Sequence, residues 1–128
     1  MKTVRVVAAV IKQESRILAT QRGTGELRGG WEFPGGKIES GEAPEEALIR
    51  EIREELSVTV IPERLIGTVE YDYPTFHLSM DCFLCTLENG SPVLSEHTAS
   101  RWITRDETDT LDWLPADILI LDKVKELF

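Results

Sequence analysis

Val4 to Ile11 is a near-continuous apolar, β-branched run, followed by a polar break at Gln13 to Ser15 and a second short run at Ile17 to Thr20. This pattern predicts a β-hairpin. Gln21 to Gly30 carries Gly23, Gly25, Gly29 and Gly30 and reads as a mobile loop. Trp31 to Phe33 is a short apolar island stopped by Pro34-Gly35-Gly36. From Ala43 to Leu56 the period becomes helical, with Pro44 suited to a first turn and Glu42, Glu45 and Glu46 complementing the positive end of the helix dipole. Val58 to Ile61, Leu65 to Tyr71 and Leu78 to Leu87 are strand-like, Asn89-Gly90 is a turn signal, and Arg101 to Ile103 forms a last short strand. A second helix is predicted from Pro115 to Leu127, on the helical spacing of Ile118, Leu121, Val124 and Leu127. No repeat or linker interrupts the series. The expectation is a single α+β domain over residues 1–128, a sandwich with a mixed sheet between helices.

Composition narrows the function. An apolar fraction of 41% is enough for a core, which excludes a disordered acidic tail. A net charge of −9 argues against duplex nucleic acid as a partner, because that backbone requires clustered Lys and Arg. No apolar run approaches the roughly 18–20 residues of a membrane span, and Arg5 and Lys12 break the first apolar run, so a soluble cytoplasmic protein is expected. Cys82 and Cys85 lie three apart in an extended stretch and should point to opposite sheet faces, as buried thiols rather than a metal pair.

The charge is unevenly placed. Glu39 to Glu55 holds seven Glu against Arg50 and Arg53, which is more than half of the net charge. At roughly 100° per residue, Glu51, Glu54 and Glu55 fall on one helix face beside an apolar sector of Leu48, Ile49, Ile52 and Leu56. Three crowded carboxylates require a cation. Arg50 reaches Glu54 at i+4 but cannot neutralise all three, and hard oxygen donors at this density suit Mg²⁺ or Mn²⁺. A solvated acidic face is the plain alternative. Gly35-Gly36-Lys37 just ahead of the helix offers close backbone approach and a point charge for phosphate, which favours the metal reading.

Gly36, Glu42 and the run Arg50-Glu51-Ile52-Arg53-Glu54-Glu55-Leu56, then Ser57-Val58, resemble the Nudix box, G-x5-E-x7-R-E-U-x-E-E-x-G-U with U aliphatic. Ser57 is the one departure, standing where the family has Gly; a left-handed helix exit there would cost on the order of 1 kcal/mol with Ser. Outside the box, Trp31 to Lys37, Glu96 ahead of Arg101-Trp102, and Leu114-Pro115-Ala116-Asp117 resemble MutT-like nucleoside triphosphate pyrophosphohydrolases, the CTP and modified-pyrimidine branch in particular.

The resemblance implies a Nudix-type α/β/α sandwich and hydrolysis of a nucleoside triphosphate to monophosphate and pyrophosphate. It implies metal binding by Glu51, Glu54, Glu55 and the Gly35 carbonyl, with Glu96 completing the shell or taking a proton from water. Arg22 and Lys37 are the implied phosphate clamps, although Arg22 also reads as a solvated loop cation. Phe33 and Asp117, with Trp31, are the implied base pocket; Asp117 also reads as a helix cap. One of the alternating Trp31 and Phe33 is expected in the core, the other against the base. His77 and His97 are singletons with no assigned catalytic role. The substrate expected is CTP, dCTP or a modified pyrimidine nucleotide, with 8-oxo-dGTP as the enzymatic alternative and a non-catalytic nucleotide-binding module as the other. The intact Arg50-Glu51 and Glu54-Glu55 oppose that module. Monomer and homodimer both fit.

Overall fold

The computed structural model describes all of the chain except residues 24, 26, 90, 91 and 93–96, and of residues 89, 97 and 98 it describes the backbone. The strands are β1 (Lys2–Gln13), β2 (Arg16–Arg22), β3 (Trp31–Glu32), β4 (Gly35–Lys37), β5 (Thr59–Tyr73), β6 (Phe76–Asn89) and β7 (His97–Ile103). The helices are α1 (Pro44–Leu56), α2 (Pro115–Ile118) and α3 (Leu121–Lys125), preceded by a 3₁₀ turn at Asp106–Thr110. The hairpin of β1 and β2, the helix α1 and the strand content agree with the sequence pattern. Gly90 of the proposed turn lies outside the described residues.

The sheet runs β3-β2-β1-β6-β5, with β4 added to β1 and β7 to β2. β1 and β6 are parallel from Lys2↔Phe76 to Ile11↔Cys85, and the other pairs are antiparallel. The other edge of β1 is shared. Val6 to Ala8 pair with β4, whereas Lys12 and Gln13 pair with β2. Between them the Ala9 N–H donates to the Pro34 carbonyl at 2.7 Å, so Phe33 and Pro34 cross the sheet where the two sets of strands part.

Alternation along β1 builds two apolar layers. Val7, Ala9 and Ile11 pack with Leu48, Ile52 and Leu56 of α1, spaced four apart on one helix stripe. Ala8 and Val10 pack on the other side with Ala116, Ile120, Leu121 and Val124. The expected mixed sheet between helices is therefore present. Cys82 joins the second layer and Cys85 the first, and burial pushes both thiols up to about 12.

Two elements differ from the expectation. The predicted strands at Val58 to Ile61 and Leu65 to Tyr71 are one strand, β5, whose register against β6 shifts between Pro62 and Arg64 and again between Leu65 and Gly67. Bulges on an edge strand absorb the polar break and accommodate Pro62. The helix expected over Pro115 to Leu127 is broken into α2 and α3. Ile118 is 54% exposed, so it leaves the predicted stripe, whereas Leu121 and Val124 keep to its buried face. The chain turns there so that Ala116 and Asp117 on one side, and Leu121 and Val124 on the other, all reach the sheet.

Candidate active site

α1 begins where its sequence signals placed it. Pro44 occupies the first turn, and the Glu46 carboxylate accepts from the Ala43 N–H at 2.8 Å. It ends at Ser57 with φ 58° and ψ 32°, the left-handed exit expected at the departing box position. Ser57 therefore adopts the conformation that glycine favours, and the helix terminates without it.

The helix is organised by Arg50. Its Nε and Nη2 donate to Glu42 Oε2 and Oε1 at 2.7 and 2.8 Å, a two-pronged pair. Its Nη1 donates to Glu51 Oε1 at 2.9 Å and approaches Glu54 Oε2 at 3.3 Å, while Nη2 also donates to the Lys37 carbonyl at 3.0 Å. The Arg50 hydrogen bonds, helped by the Glu39 N–H, hold the Glu42 carboxyl down to about 2. Sequence reading assigned Glu42 to the helix dipole and found only the Arg50–Glu54 reach. The stronger partner, Glu42, stands eight residues from Arg50 and is brought in by the turn between β4 and α1.

Glycine permits the next contact. A Cβ on Gly36 would collide with the Glu51 carboxylate, and one on Gly35 would collide with the Val7 carbonyl, so β4 is clamped between β1 and the acid face of α1. Burial pushes the Glu51 carboxyl up, and Arg50 only partly offsets this. Glu54 lies at the exposed end of the group. Among the described residues, no three His, Cys, Asp or Glu side chains close on a common metal point. The donor set nevertheless fits a hard divalent cation: three carboxylates on one helix face, one of them seated in a glycine cradle that any side chain would fill.

A cleft of about 210 Å³ opens beside β4. Gly35, Gly36 and Lys37 form one end, and Val4, Val6, Leu78 and Met80 form an apolar wall. Phe33 and Asp117 line it as well. Phe33 is buried, its ring 4.7 Å from that of Trp113, and its N–H donates to Asp117 Oδ2 at 3.0 Å. Asp117 is delivered by the C-terminal segment, which is stitched to β3: the Trp31 N–H donates to the Asp112 carbonyl and the Leu114 N–H to the Trp31 carbonyl, both at 2.9 Å. Burial pushes Asp117 up to about 8, against the opposing pull of the Phe33 N–H and Arg22, so the carboxyl holds its proton at neutral pH.

Arg22 lines the same cleft and pairs with Glu32 at 2.9 Å. Its Nε is buried and makes no hydrogen bond among the described residues. Burial lowers its pKa, but Glu32, through charge and hydrogen bond, and the charge of Glu55 more than offset that.

Thus Arg22, Phe33, Gly35, Lys37 and Asp117 come together at the cleft, and Glu51 of α1 meets Gly36 of its lining. Trp31 packs half-buried against the core and is not part of the cleft lining, whereas Phe33, itself buried, is. Glu96 lies outside the described residues. Glu32, Tyr73, Phe76 and the β1 and β6 wall were not singled out from sequence. Alternation of Val4, Val6 and Ala8 hinted at one wall, but nothing local pairs it with Leu78 and Met80.

The NUDIX domain family matches residues 1–126, and the chain belongs to that family as a MutT-like hydrolase. It is 32% identical over 129 residues to the 8-oxo-dGTP diphosphatase of Escherichia coli K12, covering 99% of this chain and all of the relative. It is also 32% identical over 123 residues to the CTP pyrophosphohydrolase of the same organism, covering 95% and 91%. The MutT solution structure from methicillin-resistant Staphylococcus aureus 252 is 39% identical, with full coverage of both chains and a TM-score of 0.81. No described helix is long and apolar enough to cross a membrane.

Proposed function

We propose that this chain hydrolyses nucleoside triphosphates to monophosphate and pyrophosphate, with CTP, dCTP or a modified pyrimidine nucleotide as substrate. The observation that carries the reading is continuity: Asp117 and Phe33 line one cleft with Gly35, Gly36 and Lys37, and Gly36 in turn meets the Glu51 carboxylate. A base at the apolar end then directs its phosphates to the glycine strand.

Glu51, Glu54 and Glu55, with the Gly35 carbonyl, would hold Mg²⁺ or Mn²⁺. When bound, the cation neutralises phosphate charge and lowers the pKa of water. The chain's own residues do the rest. Arg22 and Lys37 bind phosphate oxygens, and Arg50 orients Glu51 and Glu54. The Val4, Val6, Leu78 and Met80 wall keeps water from the base. Protonated Asp117 accepts through one oxygen from Phe33 and retains an O–H donor, so it meets a base edge that offers an acceptor.

A second reading, 8-oxo-dGTP as substrate, is favoured by the equal identity to the relative bearing that name. Pyrophosphate release across canonical, methylated and oxidised triphosphates with Mg²⁺ tests both. Turnover led by cytosine nucleotides supports the first reading, and turnover led by 8-oxo-dGTP replaces it with the second. Glu54→Gln should abolish Mg²⁺-dependent turnover in a folded protein; wild-type rates would sink the metal assignment.

A further inference from the structure

The rim of the cleft is a hairpin whose two faces differ. On the inner face Tyr73, the last residue of β5, and Phe76, the first of β6, line the cleft with their rings stacked 5.1 Å apart. The Tyr73 hydroxyl accepts from the Ala116 N–H at 3.4 Å, which ties this wall to the helix carrying Asp117. On the opposite face, one residue along each strand, Asp72 and His77 are cross-strand partners. His77 Nδ1 lies 2.6 Å from Asp72 Oδ1, and Nε2 lies 2.7 Å from Glu70 Oε1. Ser79 completes the group by donating to Glu70 Oε2 at 2.8 Å.

We propose that His77 is a positioning residue for this cleft: as an imidazolium clamped between Asp72 and Glu70, it holds the tip of the β5–β6 hairpin and thereby sets Tyr73 and Phe76 as the nucleotide-facing wall. The reason is the inventory of protons. A neutral imidazole has one N–H donor and one lone pair. It can satisfy one carboxylate and must turn its lone pair on the other. Only the doubly protonated ring donates to both, so the two short contacts specify the charged form.

The groups facing His77 fit that reading. From β5 there are Asp72 and Glu70, the hydrogen-bond partners that raise its pKa, Asp72 first. From β1 the facing titratable group is Arg5, in register with Ser79, whose charge acts on Glu70; Thr3, in register with His77, does not titrate. Two anions against one more distant cation leave the imidazolium favoured. Both carboxylates are exposed, 54% for Glu70 and 70% for Asp72, and His77 is half-buried at 29%, so the effect is a modest tuning of the wall.

The proposal rests on reading the cleft as the base site. Its test compares wild type, His77→Gln and His77→Lys with the best-hydrolysed triphosphate at about pH 6 and about pH 8.5. The Lys variant keeps a cation at both values, whereas the Gln variant never has one. The Asp117 step is common to all three proteins, so the readout is their ratio: KM of His77→Gln over that of wild type should be about two- to fivefold at about pH 6 and near one at about pH 8.5, with a smaller change in kcat. His77→Lys should match wild type at about pH 6 and have the lower KM at about pH 8.5. Parallel KM profiles for all three variants would overturn the proposal.

NMR separates this outcome from failure of the functional reading. The Tyr73 and Phe76 ring signals should shift with the His77 titration in wild type and lose that step in His77→Gln, whether or not any triphosphate is hydrolysed. Ring signals indifferent to His77 would overturn the clamp, while an absence of hydrolysis across the nucleotide panel would overturn only the functional reading.

Discussion

The carboxylate of Glu51 occupies the space that a side chain at Gly36 would fill. This contact links the glycine strand to the acid face of α1, and it explains why both residues are needed at their separation of fifteen positions. Gly36→Ala should displace Glu51 from its hydrogen bond with Arg50 at 2.9 Å. A loss in turnover of roughly a hundredfold is expected, since a shift of about 1 Å in a reacting constellation has that effect. Steady-state kinetics beside thermal melts checks this; a folded variant with unchanged kcat would disconnect the glycine from catalysis.

Arg50 carries a second prediction. Its planar fork reaches Glu42 with two nitrogens while a third hydrogen bond holds Glu51, which a lysine ammonium cannot reproduce. Arg50→Lys should therefore lower the melting temperature and raise the Mg²⁺ concentration for half-maximal activity roughly tenfold, the scale seen when groups that orient metal ligands are changed. A Mg²⁺ titration at fixed nucleotide provides the measurement. An unaltered Mg²⁺ requirement would restrict Arg50 to a structural role.

Asp117 gives the stability profile a sign. Its folded pKa is raised to about 8 from an ordinary 3.8, so between those values the native state holds a proton that the unfolded state has released. Stability from this group is complete below about pH 4 and falls as pH rises through about 8. Asp117→Asn cannot ionise, and its amide oxygen can still accept the Phe33 N–H. It should be more stable than wild type at about pH 8, on the order of 1–3 kcal/mol, and show little gain near pH 4. Denaturant melts at the two pH values check the difference. The same variant should reorder base preferences in the nucleotide panel.

At the end of α1, Ser57 sits at φ 58° with its N–H donating to the Arg53 carbonyl at 3.0 Å. Ser57→Gly removes the Cβ strain of that conformation and should stabilise by up to about 1 kcal/mol, without affecting turnover. Ser57→Val should destabilise. Thermal unfolding of the pair suffices, and marked destabilisation by Gly would contradict the observed turn.

Much of α1 and its chemistry was legible because it is local. Helical period, Pro44, the clustered Glu and the box spacing all lie within 23 consecutive residues, where sequence separation fixes which side chains share a face. Strand alternation likewise placed Cys82 and Cys85 in opposite layers, since a β-strand presents successive side chains to opposite faces whatever it pairs with. The broken C-terminal helix was not legible. Its apolar spacing permits one continuous helix, and the chain turns at Leu119 and Ile120 because both halves must bury against a sheet that spacing alone does not locate.

The sequence by itself determined the apolar run of β1, the position and ends of α1, and the three Glu that share one of its faces. Tertiary structure alone decided that Arg50 grips Glu42 as well as Glu54, that Phe33 rather than Trp31 lines the cleft, and that Asp117 meets the Phe33 N–H across 84 positions. The division is physical. Helix and strand periodicities arise from backbone geometry and are written residue by residue. A cleft arises from pairing between distant segments, and so does the desolvation that keeps Asp117 protonated, because burial depends on what the rest of the chain places around a residue.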